Sequence, residues 1–425
     1  MFITRSLIDR SKVESFTDVI NRYAAHFSIV WKNCTTGQQI NGREYSWFEK
    51  RHRERIIKRF LNNTKEDLHS KKSCSLSQPD ISKQNQEILK TLLADVLDFN
   101  NDHVELLIEN NFFETTEQFI KAARWFDNSI GTIEIFQACR NLWTMNWIQL
   151  VLGLPVKMTP SVFAYSMLYP YTDNYLDDPL IKESDKKDFN ERIYLKLSGE
   201  KSRPCNQREK IIFNLIGMIE DQYDRVNYPD VFDSLIAIHS AQIKSLKLMN
   251  PLAQPTQEQL LKISLEKGGT SVLADGYLVA GDLSEEQRIF LFGYGAYLQL
   301  VDDVQDTAED LRFGFNTVYS SVVKNQPLDN LINRTFGFGN KILENFPFNV
   351  GQRLDLIIDM MKKSGDLLLI QSVGMSKEFY TKTYFKTIQK YSPVRYSFLK
   401  KHFKSIQDTC QNLYDRIEFT EPQKN

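Results

Sequence analysis

Helical periodicity is the feature that most limits the folds open to this chain. From Gln86 onward, apolar residues recur at positions i, i+3 and i+4 in one segment after another, which is the pattern of amphipathic α-helices. The segments with this pattern are 86–109, 114–127, 129–152, 160–177, 207–223, 229–248, 256–280, 284–306, 327–345, 350–370 and 377–417. Two of them contain an internal proline, Pro170 and Pro393, where we expect a kink or a break. Strand-like alternation is scarce, so the sequence predicts an all-α fold with a single large helical bundle.

The first part of the chain differs in composition from the rest. Residues 1–68 have a helical pattern and many charges, and residues 45–60 form a basic amphipathic stretch. A solvated helix face or a membrane-surface helix would have that composition. Residues 69–85 are rich in Ser, Lys and Gln, which is typical of a linker. The expected organisation is an N-terminal helical extension and linker over 1–85, followed by a bundle domain over 86–425.

Charge and cysteine usage narrow the classes of partner and compartment. The formal net charge of −1 produces no global field that favours nucleic acid or an anionic membrane. Five cysteines without CxxC spacing argue against a disulfide framework and for a reducing compartment. The first residues lack the pattern of a secretory signal, and the longest apolar stretch, around 147–156, is too short to span a bilayer. We therefore expect a cytoplasmic protein with no transmembrane segment and no nucleic-acid partner.

Two acidic clusters follow apolar, aromatic-rich helical segments. The first comprises Asp173, Asp177 and Asp178, and the second comprises Asp302, Asp303 and Asp306. Spacings of three and four residues put carboxylates on one helix face, where like charges repel unless a cation neutralises them. Clusters of this kind on facing helices would form a Mg²⁺ site at the mouth of a bundle cavity, suited to ionising a diphosphate ester. An ordinary acidic helix surface remains an equal interpretation of the first cluster alone. The second is harder to explain that way, because the uncharged stretch 293–301 runs directly into it.

Five short motifs between residues 235 and 320 resemble, in the same order, the second half of a trans-prenyl diphosphate synthase. They are Ala241-Gln242, Lys267-Gly268-Gly269, Tyr294-Gly295, residues 298–306, and Asp310-Leu311-Arg312-Phe313-Gly314. Residues 173–177, Asp-Asn-Tyr-Leu-Asp, resemble the first aspartate-rich motif, with Asn in place of its second acid. The chain thus resembles the class I isoprenoid synthase superfamily, which includes prenyl diphosphate, squalene, phytoene and terpene synthases.

This resemblance implies an isoprenoid synthase bundle with a central active-site cavity, three Mg²⁺ ions (or Mn²⁺) and a prenyl diphosphate substrate, with a homodimer as an option. The implied catalytic acids are Asp173, Asp177, Asp302, Asp303 and Asp306, and the implied metal ligands are Asp173, Asp177, Asp178, Asp302, Asp306 and Asp310. The implied substrate-binding residues are Gln242, Lys267, Gln299, Arg312, Arg395 and Tyr396. The last two resemble an Arg-Tyr pair of bacterial terpene synthases, although a chance dipeptide on an ordinary helix is an equal explanation.

Three departures from the elongating synthases bear on the reaction. No paired arginines follow Asp178, no Gly-Gly-Lys segment precedes Asp173, and Phe315 stands where a lysine is usual. The departures favour a terpene synthase-like enzyme that ionises a prenyl diphosphate to a carbocation, which cyclises or rearranges with diphosphate release. The alternatives are an elongating or head-to-head prenyltransferase and, from a different class, a catalytically impaired isoprenoid-binding or regulatory subunit.

Overall fold

The computed structural model describes residues 14–40, 42–69, 78–176, 178, 180–249, 254–348 and 351–415. Over this part of the chain the regular structure is helical, without strands. The α-helices, numbered α1 to α17, are Phe16–Asn33, Trp47–His69, Gln78–Thr91, Asn101–Glu109, Phe112–Phe126, Thr132–Val151, Pro160–Leu176, Glu183–Leu197, Gln207–Gln222, Pro229–Met249, Gln257–Ala280, Glu285–Phe313, Val318–Val323, Asp329–Leu343, Leu354–Met375, Lys382–Tyr391 and Tyr396–Asp415. A π-helical turn, Leu92–Val96, follows α3, and two 3₁₀ turns are Gly351–Arg353 and Lys377–Phe379. The predicted all-α fold is confirmed.

Most of the predicted helices are present, with ends that differ by a few residues. The predicted segment 86–109 is interrupted after the π-helical turn, where Asp98 has a positive φ of 65° and Asn100 caps α4. The break expected at Pro393 separates α16 from α17, whereas α7 continues through Pro170. Among the helices of the described residues, none is long and apolar enough to cross a membrane.

The structure corrects the secondary structure expected after the first acidic cluster and near the N terminus. Helix α8 is not predicted by periodicity, because its buried apolar positions are few in a highly charged segment. Helix α3 begins inside the expected linker and spans the expected boundary between residues 85 and 86, while residues 70–77 lie outside the described residues. Tyr23 and Phe27 of α1 are buried against Phe292 of α12, with ring centroids 5.5 and 5.9 Å apart. The N-terminal helix therefore packs in the same core as the helices that follow.

Glycines bring α11 and α12 into backbone contact at the centre of the bundle. A Cβ atom on Gly268 would overlap the carbonyl oxygen of Gly295, and a Cβ atom on Gly295 would overlap the carbonyl oxygen of Gly268. Because glycine lacks a Cβ atom, the two helices can approach this closely at Gly268 and Gly295. The contact places Lys267 of α11 and Gln299 of α12 on the wall of one cavity.

Candidate active site

A cavity of about 110 Å³ lies among helices α7 to α12. Four of the residues chosen from the sequence line it, namely Asp173, Gln242, Lys267 and Gln299. Much of the remaining wall consists of leucine and isoleucine side chains from α7 to α10. The volume is below the ~300–1,000 Å³ of typical ligand pockets. The cavity has room for the polar head of a ligand, but it is not the large central cavity that the resemblance implies.

The second acidic cluster extends along α12 from this cavity. The buried carboxylate of Asp303 accepts hydrogen bonds from Ser264 Oγ on α11 at 2.7 Å and from Gln299 Nε2 at 2.9 Å. Further along the helix, the buried Asp310 accepts a hydrogen bond from Thr317 Oγ1 at 3.0 Å. Because Gln299 also lines the cavity, its hydrogen bond connects Asp303 directly to the cavity wall.

The acids of α12, Asp302, Asp303, Asp306 and Asp310, form an acidic row along the helix. Three of these carboxyls have a higher pKa than an ordinary aspartate. Desolvation raises the pKa of Asp303 to about 6, against the hydrogen bonds that this carboxylate accepts. Desolvation, followed by repulsion from Asp302 and Asp303, raises the pKa of Asp306 to about 7, although its side chain is exposed and water screens part of the repulsion. Desolvation also raises the pKa of Asp310 to about 7, with repulsion from Asp303 and Asp306 added to it. A proton or a cation at this row would relieve the repulsion.

An arginine from α6 contacts the acidic row. Arg140 Nη2 lies 3.1 Å from Asp302 Oδ1, and Asp306 adds to the attraction. The next residue, Asn141, donates a hydrogen bond of 3.2 Å to the buried Asp275 on α11. We did not select these α6 residues from the sequence. The sequence does contain a signal that could have identified them. Arg140 and Asn141 lie three and four residues after Gln137, so these polar side chains share one face of a mainly apolar helix.

The first acidic cluster approaches the same cavity from α7. Asp173 lines the cavity and accepts a hydrogen bond from Thr172 Oγ1 at 3.1 Å. One turn earlier, the charge of Asp173, together with burial and the charge of Asp302, holds the pKa of the Tyr169 phenol well above its usual value. Both clusters thus lie within electrostatic reach of one side chain. Asp177 lies outside the described residues, and Asp178 accepts a hydrogen bond from a backbone N–H in the turn after α7.

Three residues expected to bind substrate are not among the described residues that line the cavity, namely Arg312, Arg395 and Tyr396. Arg312 is exposed at the end of α12, above the ring of the following phenylalanine. Arg395 forms two hydrogen bonds of 2.7 Å with the buried Glu54 of α2. Tyr396 is buried and donates a hydrogen bond to a backbone carbonyl of α15. The structure thus gives the Arg-Tyr pair a place in packing α17 onto its neighbours.

The donor set suits a hard divalent cation. Carboxylate oxygens are the ligands that Mg²⁺ prefers, and repulsion among the α12 acids adds to burial in raising the pKa of Asp306 and Asp310. Within the described residues, no group of three or more His, Cys, Asp or Glu side chains is arranged to hold a metal ion by itself. Mg²⁺ commonly takes one or two carboxylates and completes its shell with water and phosphate oxygens.

A scan against protein-family models finds none that matches this chain, and a search of curated proteins finds no match either. The described residues define the protein as an all-α helical bundle with a small cavity beside an acidic row. A more specific functional assignment depends on the chemistry of the side chains in the cavity and the acidic row.

Proposed function

We propose that this protein is a Mg²⁺-dependent class I isoprenoid synthase of the terpene synthase-like kind. It would ionise a prenyl diphosphate to a carbocation that cyclises or rearranges, with release of diphosphate. One observation carries the proposal: Asp173 of α7, Lys267 of α11 and Gln299 of α12 line a single cavity. Gln299 also donates a hydrogen bond to Asp303, which belongs to the acidic row and has a raised pKa. A cavity with one acid and one cation on its wall, and a row of acids beside it, could hold a metal-bound diphosphate.

Each side chain has a role in this proposal. Lys267 is the only lysine or arginine among the described residues that line the cavity, so its charge would attract the diphosphate. Asp173, Asp302 and Asp306 would hold Mg²⁺, which when bound supplies Lewis-acid assistance to the departing diphosphate. Burial and the neighbouring carboxylates raise the pKa of Asp306 to about 7, and a bound cation would favour its ionised form.

Arg140 would change partner when substrate binds. The guanidinium of Arg140 offsets the charge of Asp302. If that carboxylate held a metal ion, the planar guanidinium could form paired hydrogen bonds with phosphate oxygens. Lys267 and Arg140 together provide cations for one diphosphate, which favours a reaction with a single diphosphate substrate.

The test is turnover by the purified protein with Mg²⁺ and geranyl, farnesyl or geranylgeranyl diphosphate, each with and without isopentenyl diphosphate. We expect a hydrocarbon or alcohol product from an allylic diphosphate alone, detected by gas chromatography and mass spectrometry. Product formation only when isopentenyl diphosphate is present would instead establish an elongating synthase. If the protein turned over none of these substrates, the proposed function would be contradicted.

Asp302→Ala is the matching variant. We expect it to lose turnover while its thermal unfolding stays close to that of the wild type, because the ion pair it removes is solvent-exposed and contributes about 0–1 kcal/mol. Val226→Ala, in an exposed loop, is the control and should keep full activity. Turnover by Asp302→Ala at the wild-type rate would exclude this carboxylate as a metal ligand.

A further inference from the structure

A second and larger cavity lies beyond α6 from the acidic row. Its volume is about 590 Å³, within the range of roughly 300–1,000 Å³ found for small-molecule sites. Helix α6 contributes to both regions: Arg140 reaches Asp302, whereas Phe136, Trp143 and Trp147 line the second cavity. The other walls come from the end of α3 with its π-helical turn, from α4 and α5, and from α15.

Most of the polar side chains on this wall are already hydrogen-bonded within the protein. Trp143 Nε1 donates to Thr116 Oγ1 at 2.9 Å, and Thr116 Oγ1 in turn donates to a backbone carbonyl of α5. The carboxylate of Glu117 is paired with Lys121 at 2.7 Å. Ser364 Oγ donates to a backbone carbonyl of α15 at 2.8 Å. An anionic ligand would find no lysine, arginine or histidine among the described residues that line the cavity, and a cationic ligand would have to compete with Lys121 for Glu117. Desolvation of either charge would be costly.

We propose that this cavity is a binding site for an uncharged, mainly hydrocarbon molecule. The wall is built mainly from leucine and aromatic side chains. The cavity has the volume of about twenty water molecules at ~30 Å³ each, which is enough for one long aliphatic chain or a small fused-ring system. Phe136 and Leu368 line the cavity and are each 37 % exposed, which marks them as its mouth. The ring faces of Trp143 and Trp147 offer flat apolar contacts. This site is separate from the proposed catalytic cavity, and its occupation does not depend on the proposed reaction.

The test uses the neutral fluorescent probe N-phenyl-1-naphthylamine with the full-length protein. We expect saturable binding of one probe per chain, with energy transfer from Trp143 and Trp147, which line the cavity. Dodecan-1-ol should displace the probe at least about tenfold more effectively than dodecanoate, because the two differ in head-group charge and the described lining residues include no cation to pair with a carboxylate. Mg²⁺ with inorganic pyrophosphate should leave probe binding unchanged. Absence of saturable binding, or equal displacement by dodecanoate, would overturn the proposal.

Two substitutions with the same chemical change locate the site. Leu368→Glu places a carboxylate at the mouth and should weaken probe binding by about tenfold or more. Val226→Glu introduces the same side chain at a residue that is 86 % exposed and outside the cavity lining, so it should leave binding unchanged. Because both positions are partly exposed, both variants should fold, and thermal unfolding checks this. Equal probe affinity in the two variants would place the probe elsewhere and contradict the assignment.

Discussion

At the scale of single residues, the buried carboxyls of α12 lower the stability of the folded protein when they are ionised. Asp303 and Asp310 are buried, so their negative charges lose hydration and also repel each other. Their folded-state pKa values of about 6 and about 7 lie above the ~3.9 expected in the unfolded chain. The folded state therefore binds more protons than the unfolded state between these values, and the free energy of unfolding falls as pH rises through that window.

Asp310→Asn should remove part of this pH dependence. The amide has no charge to desolvate, and its oxygen can still accept the hydrogen bond from Thr317. We expect the variant to be more stable than the wild type at about pH 8, by on the order of 2 kcal/mol, and to lose this advantage near pH 4. Urea unfolding at both pH values measures the difference. An advantage of equal size at both pH values would show that the ionisation of Asp310 is not its cause.

At the scale of elements, the crossing of α11 and α12 sets the geometry of the candidate site. Gly268 packs against Gly295 and Gln299, so the neighbouring Lys267 and the amide of Gln299 reach the same cavity wall. Close packing of this kind transmits small changes in helix separation directly to the side chains next to it. The two glycines therefore matter for the position of functional groups as well as for packing.

Gly295→Ala should force the two helices apart. The added methyl group meets backbone atoms that cannot move independently, so we expect a loss of about 2–3 kcal/mol in the free energy of unfolding. Gly217→Ala on α9 is a matched control, because no heavy atom lies within 4 Å of its added Cβ. The control should be more stable by about 0.5–1 kcal/mol, owing to the higher helix propensity of alanine. Equal denaturation midpoints for both variants would argue against the close crossing.

The contact between α2 and α17 depends on the pair of Arg395 and Glu54. Glu54 is only 2 % exposed, and Arg395→Ala would leave this buried carboxylate with the more distant Arg51, at 3.6 Å, and the backbone N–H of residue 395. We expect the free energy of unfolding to decrease by about 2 kcal/mol while the KM for an allylic diphosphate stays unchanged. Arg395→Lys keeps the charge but loses the paired geometry, so its loss should be smaller. A raised KM with normal stability would instead restore the role of Arg395 as a substrate contact.

At the scale of the whole molecule, ligands of the acidic cavity should stabilise the fold. In the proposed function, Mg²⁺ would offset the negative charge of the α12 acids, and inorganic pyrophosphate would pair with Lys267. At a hundredfold excess over the Kd, a ligand of the folded state raises the free energy of unfolding by about 2.7 kcal/mol. We expect Mg²⁺ with pyrophosphate to raise the Tm more than either alone, and Lys267→Ala to reduce that rise. A Tm that responds equally in Lys267→Ala would place the ligand outside this cavity.

The all-α fold and most helix ends follow from the sequence by itself, because amphipathic periodicity and helix caps are local properties of the chain. Ser284 and Thr256, for example, form capping boxes at the starts of α12 and α11, close to the predicted starts at 284 and 256. The order of short motifs also identified Lys267 and Gln299, which the structure places on one cavity wall. These residues could be recognised because each belongs to a recurring local pattern.

Only the tertiary structure decided which distant side chains meet. Arg140 pairs with Asp302 across 162 residues of chain, and Arg395 pairs with Glu54 across 341 residues. The apolar cavity beyond α6 likewise needs four separate parts of the chain to enclose it. Periodicity reports which face of a helix is apolar, but it carries no information about which other helix will cover that face. Those partners are selected by the shape and charge of surfaces that exist only after the helices have packed.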